Sequence, residues 1–187
     1  MRREHVPNAL TILRFVAVPI FAVLFLSAGD GGAVAAGVFF AGAAATDQLD
    51  GWLARRWHVE SRFGTIADPL ADRLMISVAA ILLWYDGRLP WYGAVIVIGR
   101  DVVLVVGYKV LAPRGVTVEV TKLGKLGTWL LYAAMTGLIV TDKGTRWPLW
   151  LFWTGLLLAV AAAVHYVIRA RWAVDRPGGT MPPGAKV

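Results

Sequence analysis

The chain has no cysteine and little charge: Asp, Glu, Lys and Arg make up 17% of its 187 residues. The missing thiols exclude disulfides and thiolate metal sites and leave the redox compartment open. The scarcity of charge excludes an ordinary soluble domain, in which about a quarter of residues are charged. Acidic residues are the scarcer sign, 12 against 19 basic, for a formal net charge of +7 and a pI near 10.1. Such a balance raises nucleic acid as a partner. No Lys/Arg stripe with interleaved aromatics is present, so nucleic acid is set aside. Internal repeats and low-complexity tracts are absent too, and the length suits one domain.

What the chain does have is apolar surface. Hydrophobic residues make up 58% of it, and the mean hydropathy is +0.62. Nine Trp suit the aromatic belts of a membrane protein, and the basic excess suits a cytoplasmic face. A spanning helix needs roughly 20 mostly apolar residues. Six segments meet that length: approximately Leu10–Ala28, Ala33–Ala54, Phe63–Trp84, Trp91–Leu111, Leu123–Thr141 and Pro148–Ala170. The breaks between them, "GDGG", "RRWHVES", "YDGRLP", "APRGVTVEVTK" and "DKGTRW", read as short turns. The expected fold is an all-α integral membrane protein built as a six-transmembrane-helix bundle. Residues 1–174 form its membrane domain, and 175–187, "DRPGGTMPPGAKV", a disordered cytoplasmic tail. Arg2, Arg3 and small residues near Ala28 give the first segment the look of a signal peptide. Arg14, Pro19 and the five further spans argue for a retained helix.

Orientation follows from the Lys and Arg positions. With the N-terminus inside, thirteen of the 19 fall in inner segments. Three (Arg88, Lys143, Arg146) fall in outer loops and three (Arg14, Arg73, Arg100) within spans. Both termini are therefore expected in the cytoplasm, with the chain integral to the inner (cytoplasmic) membrane.

Four carboxylates interrupt this apolar sequence. Asp47 and Asp50 fall near the inner end of the second segment, Asp68 and Asp72 near the inner start of the third. A short loop makes these helices antiparallel neighbours, so both pairs lie at similar depth. Asp47, Asp50, Gly51 and Ala54 follow an i, i+3, i+4, i+7 pattern on one face; Gly64, Asp68 and Asp72, four apart, share another. Gly51, Ala54 and Gly64 are small enough for a backbone or ligand to approach closely. A carboxylate at the centre of a spanning helix costs about 2.5–3.5 kcal/mol on insertion scales. Four would cost on the order of 10 kcal/mol unpaired, less when off centre, so something must neutralise them. A salt-bridge cluster with Arg55, Arg56, Arg62 and Arg73 would do so, as would an ion or proton pathway. So would a pair of hard divalent cations taking oxygen ligands. On these residues alone all three stay open.

The stretch "DQLDGWLARRWHVESRFGTIADPLAD" fits D-x2-D-G-x2-A-R-x8-G-x3-D-x3-D at every fixed position. It resembles the signature of the CDP-alcohol phosphatidyltransferase family. The matching residues are Asp47, Asp50, Gly51, Ala54, Arg55, Gly64, Asp68 and Asp72, eight fixed positions within 26, which makes the resemblance specific. The resemblance covers the whole chain and implies six membrane helices with a cytoplasmic-facing active site. It implies an enzyme that moves a phosphatidyl group from CDP-diacylglycerol to an alcohol, releasing CMP. Two divalent cations, Mg²⁺ or Mn²⁺, are implied, with Asp47, Asp50, Asp68 and Asp72 as ligands and Asp72 also as general base. Asp50, Gly51, Ala54, Arg55 and Gly64 are implied to bind the CDP moiety, Arg55 pairing with its phosphate. A homodimer is implied as well. The chemistry is consistent with these residue types: the pyrophosphate needs its charge neutralised, and the acceptor hydroxyl must lose a proton as it attacks.

Three further stretches bear on the acceptor. "VPNALTILR" resembles the P-N-x-L-T-x-x-R opening of the phosphatidylglycerophosphate synthase and cardiolipin synthase branch, and puts Asn8, Thr11 and Arg14 at the inner rim. Arg14 is nearly as well suited to snorkelling. "IGRDVV" resembles the branch's I-x-R-[DE] element. Adjacent helix positions face apart, which favours an acceptor-phosphate role for Arg100 over a pair with Asp101. "TKLGKLGTW" brings Lys122 and Lys125, either acceptor-binding or positive-inside charge. The branch often reads G-K-x-K-T here, and Gly127 stands where the second Lys would be; the G-K-x-x-T form also resembles actinobacterial cardiolipin synthases. Glycerol 3-phosphate is the leading acceptor, with phosphatidylglycerol and then inositol phosphate as alternatives. A non-enzymatic transporter or channel is the rival class, disfavoured because no charges continue outward along the two aspartate-bearing helices. His58 reads as a loop residue, His165 as a packed or hydrogen-bonded histidine, and Trp84, Trp91, Trp147, Trp150 and Trp153 as an outer belt. The partners expected are CDP-diacylglycerol, a glycerol-type acceptor and membrane lipid.

Overall fold

The computed structural model of the chain describes residues 5–29, 32–57, 64–111 and 121–174, with side chains over 15–29, 32–46, 73–107 and 121–169. Six helices account for them: α1 His5–Leu26, α2 Val34–Trp57, α3 Gly64–Tyr85, α4 Trp91–Leu111, α5 Lys122–Val140 and α6 Trp147–Val174. Each expected apolar segment is one helix. α1 begins before its apolar run because Pro7 falls in the first turn, where the ladder uses no backbone N–H. α6 opens the same way, with Pro148 as its second residue, and continues to Val174. Residues 58–63, expected as a solvated turn holding His58, residues 112–120, expected as a turn, and residues 175–187, expected as a disordered tail, lie outside the described residues. Among the described residues, Lys122–Val140 and Trp147–Arg169 are long and apolar enough to cross a membrane. Shorter apolar stretches, Phe15–Leu26, Val34–Thr46 and Arg73–Tyr85, lie in α1, α2 and α3.

The surface carries the same message. Val23, Val38, Val95 and Leu157, on four different helices, are each more than half exposed, which suits a lipid solvent and would be a liability in water. Inside, Phe21, Phe40 and Tyr132 form a ladder through α1, α2 and α5, with ring centroids 5.4 Å and 5.6 Å apart. Tyr92 stacks on Trp153 at 5.4 Å and ties α4 to α6. The longest seam is between α5 and α6, and it depends on absent side chains. A Cβ on Gly127 would lie 2.7 Å from the Ala159 nitrogen, and one on Gly155 3.0 Å from the Leu131 nitrogen. With no hydrophobic drive between helices in lipid, such close backbone approach is what dispersion and packing require.

The C-terminal end of α5 explains how the bundle is tied. Like any helix it leaves its last carbonyls without helical partners. Gly137 oxygen accepts from the Thr141 N–H and hydroxyl. Ile139 oxygen accepts from Ala33 N–H at 2.8 Å, bringing in the start of α2. Arg88 donates to the Leu138 carbonyl at 3.1 Å and to the Thr141 carbonyl. Arg88 reaches them because α3 closes in a Schellman turn. Gly87 takes φ +76, Gly87 N–H bonds Trp84 oxygen and Arg88 N–H bonds Leu83 oxygen, both at 2.9 Å. Asp86 completes the knot, accepting from Arg88 Nε at 2.5 Å and pairing with Lys143 at 2.9 Å.

This knot sorts the helix ends. The α1–α2 connection, the α3–α4 turn and the α5–α6 turn all gather at the C-terminal end of α5. Trp84, Trp91, Trp147 and Trp150, all exposed, mark the same end. The N-terminal halves of α1, α3 and α5 and the C-terminal halves of α2, α4 and α6 therefore share the opposite end.

Arg88→Met should lower thermal stability in detergent by about 3 kcal/mol, because it strands two buried carbonyls and leaves Asp86 half-paired. Burial pushes the Asp86 carboxyl up, but the Arg88 and Lys143 hydrogen bonds outweigh it and hold the group below its ordinary 3.8. A depressed carboxylate contributes stability above its unfolded pKa and loses it as pH falls through the folded one. Asp86→Asn should therefore melt lower than the parent from pH 8 to pH 5, and the gap should close below about pH 4. A gap that persists in strong acid would remove the charge pairing from the account.

Candidate active site

Nearly all the residues singled out in the sequence map to the end away from the tryptophans. Asn8, Thr11 and Arg14 lie in the first half of α1. Asp47, Asp50, Gly51, Ala54 and Arg55 lie in the last half of α2, unbroken to Trp57. Gly64 opens α3, followed by Asp68 and Asp72. Both helices keep the i, i+3 and i, i+4 spacing of their aspartate pairs, and six connecting residues can span no more than about 25 Å. The side chains of these residues lie outside the described set. Among the described side chains no three His, Asp or Glu residues gather. The chemistry of the donor set nevertheless fits a hard cation: four carboxylates on two helices at one end of a chain without a single thiol.

Arg100 is described in full, and its surroundings differ from expectation. It lies 3.1 Å, Nε to Oδ1, from Asp101, the residue next to it. Adjacent positions face apart on a helix, but the long arginine stem curls back to its neighbour. The same carboxylate oxygen accepts a 2.5 Å hydrogen bond from Arg73 Nη1 on α3. Arg100 Nη2 donates to Thr128 Oγ1 of α5 at 3.4 Å, and the Thr128 hydroxyl donates to the Gly124 carbonyl at 2.9 Å. Asp101 is 4% exposed and the Arg100 side chain 7%. Arg100 Nη1 is buried with no hydrogen-bond partner, and its Nε is close to Asp101 but too misaligned to donate. Among the described side chains the cluster thus holds two cations and one anion. Lys122 and Lys125, both exposed, stand in the first turn of α5, with Thr128 about 9 Å deeper along the axis from Lys122.

The family model for CDP-alcohol phosphatidyltransferase matches residues 4–165. The chain belongs to the CDP-alcohol phosphatidyltransferase family. Within this family it is similar to proteins named CDP-diacylglycerol–glycerol-3-phosphate 3-phosphatidyltransferase. The Pseudomonas fluorescens protein is 43% identical over 102 residues, a match spanning 54% of this chain and 52% of that one. The Bacillus subtilis protein is 31% identical over 148 residues, 73% of this chain and 77% of that one. The Escherichia coli K12 protein is 30% identical over 164 residues, 86% of this chain and 87% of that one.

The departure of this phosphatidyltransferase from the branch pattern at Gly127 has a structural cause. Position 127 is buried against the α6 backbone at Ala159 and Gly155, where no side chain fits. Thr128, the next fixed position, meets Arg100. Asp101 and Arg73 were missed as a pair, although the signal was available. Arg73 is 12 residues before the end of α3 and Asp101 is 10 residues into α4, so an antiparallel turn brings them to matching depth. Arg88 had no such signal, since its partners are carbonyls of a distant helix. His165, expected as packed or hydrogen-bonded, is on the exposed face of α6.

Gly127→Ala separates packing from propensity. In open space alanine would stabilise the helix by about 1 kcal/mol. Against α6 it should instead destabilise by about 1–3 kcal/mol. Thermal unfolding of the purified protein reads the sign, and a rise in melting temperature would contradict the seam.

Proposed function

We propose that this chain is a metal-dependent phosphatidylglycerophosphate synthase. It transfers the phosphatidyl group of CDP-diacylglycerol to glycerol 3-phosphate and releases CMP. The observation that carries the reading is the complete eight-residue signature, carried on two helices whose aspartate-bearing halves belong to the same end of the bundle. The names of the similar proteins support glycerol 3-phosphate as acceptor. In this reading residues 1–174 form a six-span membrane domain, integral to the inner membrane. Both termini and the aspartate end face the cytoplasm, as the Lys/Arg bias favours, and the chain works as a homodimer.

Asp47, Asp50, Asp68 and Asp72 hold two divalent cations, Mg²⁺ or Mn²⁺. When bound, these supply the positive charge that neutralises the donor pyrophosphate. Asp50, Gly51, Ala54, Arg55 and Gly64 bind the CDP moiety, with Arg55 on its phosphate. Asp72 takes the proton of the acceptor hydroxyl as its oxygen bonds to the phosphatidyl phosphorus and the bond to CMP breaks. Arg100, Lys122 and Lys125, with Arg14, Asn8 and Thr11 at the rim, hold the acceptor phosphate. Two lysines in a first helical turn oppose the helix dipole, a cost that a bound anion offsets.

Four measurements test this. Glycerol 3-phosphate, phosphatidylglycerol and inositol 1-phosphate are each offered with CDP-diacylglycerol to the purified protein, and the lipid products are identified by mass. Phosphatidylglycerophosphate and CMP are expected; cardiolipin from phosphatidylglycerol, with no product from glycerol 3-phosphate, would replace this acceptor. A chelator should abolish turnover and Mg²⁺ or Mn²⁺ restore it. Asp72→Asn should retain CDP-lipid binding and lose roughly 10²–10⁴-fold in turnover. Arg100→Ala and Lys125→Ala should each raise the acceptor KM roughly 10- to 100-fold with the CDP-diacylglycerol KM nearly unchanged.

A further inference from the structure

We propose that Asp101 is a positioning residue for the acceptor phosphate, aiming the Arg100 guanidinium by sharing one carboxylate oxygen between Arg100 and Arg73. The inference rests on the acceptor role given to Arg100 above and goes beyond it, since Asp101 itself touches no substrate.

Three features of the cluster support it. Asp101 Oδ1 is 2.5 Å from Arg73 Nη1 and 3.1 Å from Arg100 Nε, so a single oxygen hydrogen-bonds an arginine from α3 and forms an ion pair with one from α4. The contact is on the Nε side of Arg100, which leaves both terminal nitrogens for other partners. Nη2 finds Thr128, and Nη1, buried, finds none. A buried donor without a partner costs about 1–3 kcal/mol, and among the described side chains two guanidiniums share one carboxylate, which leaves an excess positive charge. A phosphate oxygen supplies the missing acceptor and the missing charge together.

Geometry, rather than charge alone, is the point. An arginine carries about 2 kcal/mol of rotamer entropy, and pinning its stem in advance spares the ligand that cost. Asp101 pins it from the side the phosphate does not need. Through Arg73, the residue after Asp72, the same carboxylate also fixes the rotation of α3 against α4.

The test uses the full chain in nanodiscs, with KM and kcat measured for both substrates in the parent, Asp101→Asn, Asp101→Glu and Arg100→Lys. Asp101→Asn releases Arg100 from its ion pair and should raise the glycerol 3-phosphate KM about tenfold, the value of the charge-assisted bond from Arg100 to the phosphate, and leave the CDP-diacylglycerol KM within about twofold. Asp101→Glu restores the charge and should recover to within about threefold of the parent. Arg100→Lys keeps every charge in place but loses the planar fork, whose Nε side faces Asp101 while its terminal nitrogens face away; its acceptor KM should rise at least about tenfold. That variant remains decisive should Asp101→Asn fail to fold. A purely structural Asp101 would lower the melting temperature without moving the acceptor KM, and that outcome overturns the proposal. So does an Asp101→Asn enzyme with a lower acceptor KM, which would mean the carboxylate only opposes the substrate's charge, or an Arg100→Lys enzyme with the parent's KM. If Arg100→Ala weakens acceptor use while Asp101→Asn does not, only this inference falls. If the parent makes no product from glycerol 3-phosphate, the acceptor reading falls and this inference with it.

Discussion

Asp101 Oδ1 accepts from Arg73 and lies beside Arg100, and the packing of α3, α4 and α5 at mid-bundle is organised around that oxygen. A guanidinium in an apolar bundle is costly unless a partner is close. Two of them around one carboxylate restrict how the three helices can turn against each other. Arg73 sets α3, Arg100 sets α4, and Thr128 extends the contact to α5.

The two ends of the bundle are built on different principles. At the tryptophan end the polar groups satisfy each other: α5 has its last carbonyls taken by Thr141, Ala33 and Arg88, and Arg88 is in turn held by Asp86. At the other end the polar groups accumulate. Four aspartates, the lysines of α5 and the polar residues of α1 all belong to helix halves that converge there. An end whose polar groups satisfy each other and an end that gathers charge suit a membrane-bound phosphatidyltransferase, because its lipid donor stays in the bilayer while the reacting phosphates are polar. The glycine seam of α5 and α6 serves the same division, holding those two helices backbone to backbone.

Much of this was legible in the sequence. Apolar runs of spanning length, bounded by turn residues such as those of "YDGRLP", are a strong local signal, and each became a helix. The aspartate signature was enough to name the family, and the names of the similar proteins agree with glycerol 3-phosphate as the first-ranked acceptor. What local reasoning missed was long-range. Arg88 looked like one charge in an outer loop, because nothing near it in sequence reveals that α5 ends beside it. The rule that adjacent helix positions face apart argued against an Arg100–Asp101 contact and holds for short side chains, but four rotatable bonds let Arg100 double back. Gly127 read as a lost lysine and is a packing position. In each case the deciding partner lies on another helix, beyond any window of local periodicity.

The central claim is that the aspartates of α2 and α3 together form a two-cation reaction site. The most direct measurement is Mn²⁺ binding to the purified full-length protein by electron paramagnetic resonance, for the parent and for Asp68→Asn. The account predicts two Mn²⁺ per chain in the parent, with the exchange coupling of ions about 3.5–4 Å apart, and loss of that coupled signal in Asp68→Asn. A parent protein that turns over CDP-diacylglycerol while binding no Mn²⁺, or an Asp68→Asn protein with the coupled signal intact, would contradict it.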